Sequence, residues 1–104
     1  MTIQVQNVNP VNSQTGVSRN ADNSVDAVVS INETAQVLGG SIEPSVGGTV
    51  IPGHLKPLQS APYAAGDYTL NFTNVAGQTS YDFNASASNL GGTGSSTITF
   101  TTGA

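Results

Sequence analysis

The sequence predicts an all-β domain, a sandwich of about seven short antiparallel strands in two sheets. Apolar residues recur at every second position in Gly66-Asp67-Tyr68-Thr69-Leu70-Asn71-Phe72, in Tyr81-Asp82-Phe83 and in Thr97-Ile98-Thr99-Phe100-Thr101-Thr102. That is the period of a strand with one face in a core and the other in water. Glycine, proline and asparagine interrupt the chain at short intervals, and no segment makes a convincing helix. There is no internal repeat, which disfavours a propeller or a solenoid.

Taken in order, Ile3, Val5 and, across a bulge, Val8 read as a first strand. Asn9-Pro10 closes it, because proline removes an amide donor and fixes φ. Residues 12–23 read as a polar loop around Gly16 and Val17. Val25, Ala27, Val29 and Ile31 alternate with Asp26, Val28 and Ser30 as a second strand, and the apolar Val28 suits a central position. Residues 36–42 stay ambiguous: Val37, Leu38 and Ile42 suggest a strand, Gly39-Gly40 weakens it, and Glu33 to Leu38 has room for one helical turn. From Glu43 to Pro62 the chain holds four of its five prolines and Gly47-Gly48, which leaves space for a short edge strand at Thr49-Val50-Ile51. Asn74-Val75-Ala76-Gly77-Gln78 has the length of a hairpin connection, with a glycine available for positive φ. Residues 90–96 read as a flexible loop before the last strand. The expected core is Val5, Val25, Val29, Ile31, Tyr68, Leu70, Phe72, Tyr81, Phe83, Ile98 and Phe100.

At 104 residues the chain reads as one domain, 1–104, too short for two independent cores. Charged residues make up 8 % of it, against roughly 25 % in an average soluble domain. Arg19 and Lys56 are the only basic residues and the net charge is −4. A groove that tracks phosphates needs several cations, so nucleic acid is excluded as a partner. No apolar run approaches the ~18 residues of a membrane helix, and Met1 to Gln6 has neither a basic region nor an apolar signal core. With no cysteine, disulfides, thiolate metal sites and cysteine nucleophiles are all ruled out.

Residues that carry chemistry are few. His54, the only histidine, lies in a proline-rich loop with no Gly-x-Ser-x-Gly elbow anywhere in the chain, and reads as an ordinary loop residue. Asp22-Asn23-Ser24-Val25-Asp26 begins like a calcium loop, but Ala27 stands where such a loop requires glycine, so a solvated loop is expected. Lys56 is the sole lysine among many asparagines, which raises the Lys–Asn isopeptide of some surface sandwiches. Its place in Leu55-Lys56-Pro57, a loop, argues against the burial that chemistry needs. Tyr68, Phe72, Tyr81, Phe83 and Phe100 have the makings of a carbohydrate platform, but their alternation makes them core residues first. No cofactor, metal or catalytic residue is expected, and the chain does not read as an enzyme.

Two groups of motifs carry a family resemblance. At the start, Val8-Asn9-Pro10-Val11 leads through Thr15-Gly16-Val17 to the valine-rich strand. At the end stand Ala65-Gly66-Asp67-Tyr68-Thr69, Asn74-Val75-Ala76-Gly77 and Phe100-Thr101-Thr102. In this order the signals resemble bacterial immunoglobulin-like domains of surface-layer proteins and adhesins, a type also found on phage virion accessory proteins. The resemblance touches about half the chain and departs in the middle, where no Phe-Ser-x-Pro segment follows Ile31. It implies an immunoglobulin-like β-sandwich of about seven antiparallel strands with a surface role, and it transfers no active-site residue.

The resulting expectation is a structural protein that decorates a virion such as a bacteriophage capsid. The alternative is a spacer or carbohydrate-binding module on the bacterial cell surface. The chain reads as a complete product that reaches the outside without secretion, as virion proteins do, with an excised piece of a larger secreted protein as the alternative. Its expected partners are the capsid protein or neighbouring copies of itself, in a homo-oligomer or lattice, with no membrane insertion. The expected docking surface is the loop from Gly47 to Pro62, through Val50, Ile51, His54, Leu55 and Leu58, because no strand period buries its apolar residues. An edge strand is the other candidate.

Overall fold

A computed structural model describes residues 3–103, so the part of the N-terminal reading that falls on Met1 and Thr2 lies outside the described residues. Nine strands run through the described residues: β1 (Val5–Asn9), β2 (Gln14–Val17), β3 (Val25–Ile31), β4 (Val37–Pro44), β5 (Ile51–Pro52), β6 (His54–Leu55), β7 (Gly66–Phe72), β8 (Ser80–Asn89) and β9 (Gly92–Thr102). They form a four-stranded sheet ordered β1-β3-β7-β6 and a five-stranded sheet ordered β2-β9-β8-β4-β5. The molecule is a β-sandwich.

The strand period decides what each sheet buries. β3 alternates buried and half-buried residues along its whole length, and it is central, with β1 on one side and β7 on the other. Val25 and Val29 from β3, with Leu70 and Phe72 from β7, meet Ile42, Phe83, Ala85 and Phe100 from the opposite sheet in one core cluster. Phe72 and Phe83 join the sheets edge to face, with centroids 5.4 Å apart, while Tyr81 stacks on Phe100 at 5.8 Å. A smaller cluster of Ile3, Ile31, Ala35 and Ala87 closes the other end. Of the expected core, Val5, Tyr68 and Ile98 are half-buried and pack against these clusters, and the rest are buried.

Several sequence expectations are corrected. Residues 12–23 are not simply a loop, because β2 pairs parallel with the end of β9, with Gln14 opposite Phe100 and Val17 opposite Thr102. Four residues with one buried side chain are too few for periodicity to register. Residues 74–78 do not close a hairpin. β7 and β8 lie in different sheets, so this segment crosses the sandwich, and the positive φ values fall on Asn74 and Gln78 rather than Gly77. Gly77 answers to space instead, since a Cβ there would come within 2.9 Å of the Arg19 guanidinium. Residues 92–96 are strand, with only Leu90 and Gly91 turning the β8–β9 hairpin. Their glycines and serines carry no apolar pattern, and Gly94 is small because a side chain would collide with the Ile3 carbonyl. The ambiguous segment resolves as β4 rather than a helical turn. At Val8 the β1 ladder bulges as anticipated, but Val8 points outward and Asn7 inward.

Candidate functional site

The expected docking loop does not form one surface. β5 pairs with β4 and β6 with β7, so the chain changes sheets between Pro52 and His54. Val50 is half exposed and Ile51 half-buried, and both line a groove of ≈ 420 Å³ with Pro44, Pro52 and Tyr81. His54 and Leu55 line a separate polar depression of ≈ 520 Å³ with Asn20, Asp22, Ser24, Lys56 and Asn71. Leu58 lines neither and is exposed. Ile51 and Leu55 pack against the core, so the premise that nothing buries them does not hold for these two.

The polar depression gathers side chains that the sequence keeps far apart. Strand register aligns Asp26 on β3, Asn71 on β7 and His54 on β6 in one row across the four-stranded sheet. Asn71 Nδ2 donates to Asp26 Oδ1 at 2.7 Å, and Asn20 Nδ2 donates to Oδ2 at 3.3 Å. Lys56 Nζ approaches the same oxygen at 3.4 Å in an exposed ion pair. In the loop before β3, Asp22 Oδ1 accepts from both the amide and the hydroxyl of Ser24, at 3.1 and 2.5 Å. These donors hold both carboxyls below the ordinary aspartate value of 3.8, chiefly Ser24 for Asp22 and Asn71 for Asp26. The chain's only lysine thus pairs with Asp26, and its only histidine lines the same depression as Asp22, a convergence that strand register creates and spacing along the chain does not.

The other candidate chemistries can be placed on this geometry. No group of three or more metal-ligating side chains occurs among the described residues, and the carboxylates of the Asp22–Asp26 segment accept from Ser24 and from Asn71. Lys56, Asp26 and Asn71 do come together, but the lysine side chain is 58 % exposed, outside the dry enclosure that amide formation requires. Phe72, Tyr81, Phe83 and Phe100 are buried between the sheets, and Tyr68 is half-buried with its ring edge to face against Tyr63, so the five do not form one aromatic platform. The phenolic oxygens of the two strand tyrosines are both partnered: Tyr81 Oη accepts from the Ala76 amide at 2.9 Å, and Tyr68 Oη donates to the Ala64 carbonyl at 2.5 Å.

Sequence reasoning missed the exposed Val46, which shares the β4–β5 connection with Val50. Its signal was a lone apolar residue next to Gly47-Gly48. No family model matches the chain, and no curated protein matches it.

Proposed function

We propose that the chain is an immunoglobulin-like module with a non-enzymatic, structural role: a virion surface accessory that binds and stabilises a bacteriophage capsid. The strand orders β1-β3-β7-β6 and β2-β9-β8-β4-β5 support the fold half of this reading. Lettered in chain order, they correspond to A-B-E-D and A′-G-F-C-C′. Tyr81 supports it too: it stands near the start of β8 and bonds a backbone amide five residues upstream, in the manner of a tyrosine corner.

One observation carries the role. Large apolar side chains reach solvent at Val46 and Val50 on the β4–β5 connection, where Val50 lines the groove with Ile51 and Pro52. Exposed apolar groups on one connection beside such a groove mark a docking surface. With few charges around them, contacts made there lose little to salt. The test is binding of the isolated chain to particles from its native source. Val46→Asp combined with Val50→Asp is expected to abolish binding without lowering Tm; undiminished binding contradicts the reading.

The polar depression favours a second reading, a carbohydrate-binding or spacer module of a bacterial surface protein. His54, Lys56, Asp22 and Asn71 offer donors and acceptors suited to sugar hydroxyls. Saturable shifts of the Asn71 and His54 resonances on glycan titration would favour it over the virion.

A further inference from the structure

Edge strands invite pairing with other chains, and most edges here carry a feature that prevents it. β1 is bulged at Val8 and followed by Pro10. β5 and β6 are two residues each, with Pro52 inside one and Pro57 just past the other. β2 is four residues long and holds Gly16 at φ 66°. Being so short, β5 and β6 leave parts of β4 and β7 uncovered, but the longest open stretch is on β9, which runs for 11 residues with β2 covering only Phe100 to Thr102.

The hydrogen bonds fix which way the uncovered part of β9 faces. Ser13 N donates to Thr99 O at 2.6 Å, and Thr99 N donates to Asn12 Oδ1 at 3.1 Å. Thr99 therefore points its backbone groups away from β8, and by the alternation of an antiparallel ladder so do Thr93, Ser95 and Thr97. No described residue bonds those outward amides and carbonyls. From Gly92 to Ile98 the strand has no charge, no proline and no register shift.

We propose that this edge pairs antiparallel with the same edge of a second copy, about a two-fold axis at Ser95. Thr93 then faces Thr97 of the other copy and Ser95 faces its own equivalent, so no like charges are opposed although each chain carries −4. A foreign extended peptide is read through pockets for alternate side chains, and neither the groove at Val50 nor the depression at His54 reaches β9. A self-complementary edge takes its specificity from symmetry and register instead. The contact is small and belongs to the weak class, which suits copies already held close in a lattice. The pairing rests on the assembly reading and names one neighbour in it.

Sedimentation and native mass spectrometry, on a concentration series rising to about 1 mM, test the pairing without any particle. The wild-type chain is expected to show a growing dimer fraction. Ser95→Pro removes one outward donor and leaves the β8 ladder intact, so it is expected to stay monomeric with an unchanged circular dichroism spectrum. Ser95→Glu and Ser95→Lys, each alone, place like charges on the axis and are expected to be monomeric; mixed in equal amounts they are expected to dimerise. A wild-type chain that remains monomeric, a dimer that survives Ser95→Pro, or a mixture that fails to pair overturns the proposal. Particle binding by the same variants separates the two ideas, because the docking residues Val46 and Val50 lie outside this edge.

Discussion

Asn7 is the residue least at ease in this molecule. It takes an inward position on β1 opposite Val29, is only 8 % exposed, and neither its amide nitrogen nor its oxygen has a hydrogen-bond partner. Burying polar atoms unpaired costs free energy, so Asn7→Val, which also suits a strand, is expected to raise stability by about 1 kcal/mol in urea denaturation. A lower midpoint would mean that the amide is satisfied by a buried water. Asp26 is the opposite case, a carboxylate with three donors. Because Asp22 and Asp26 titrate below 3.8 when folded, the stability they contribute is fully present above that value. It is lost as pH falls through the depressed folded values. Between about pH 5 and pH 2 the urea midpoint should fall, and Asn71→Ala, which removes the main donor to Asp26, should make the fall shallower. Identical slopes would show that Asn71 does not hold the carboxylate.

At the scale of elements, the periodic strands were legible and the others were not. β3, β7 and the start of β8 alternate cleanly because one face of each is core and the other is water. β2 and the first half of β9 were hidden because neither has an apolar face to display: Gln14-Thr15-Gly16-Val17 buries one side chain, and Gly92 to Ser96 buries none. Backbone pairing makes them strands, and tertiary pairing leaves no mark on composition. Gly94 is the exception that tests this account. Gly94→Ala would drive a methyl group into the Ile3 backbone, so it is expected to destabilise the fold far more than the same change at Gly39, where the space is open. Equal effects on Tm would place the N-terminal segment elsewhere. Phe83→Ala, which empties the contact between the sheets, is expected to cost about 3–5 kcal/mol in the same assay.

For the whole molecule, composition alone pointed away from nucleic acid, disulfides and a membrane-spanning helix, since each depends on residue types the chain lacks or holds in small number. The arrangement of its surface was much less legible. The middle loops look uniform in sequence, yet one change of sheet at Gly53 separates Val50 from His54 and turns Ile51 and Leu55 into core neighbours. The polar depression is likewise a product of register between β3, β6 and β7, which no spacing along the chain encodes. The central claim is that the chain acts as a structural module bound in many copies to a larger particle. The most direct test is quantitative mass spectrometry of particles purified from the native source. A 10.5 kDa chain at high and fixed copy number is the predicted result. The same residues found only within a much larger cell-surface polypeptide would contradict it.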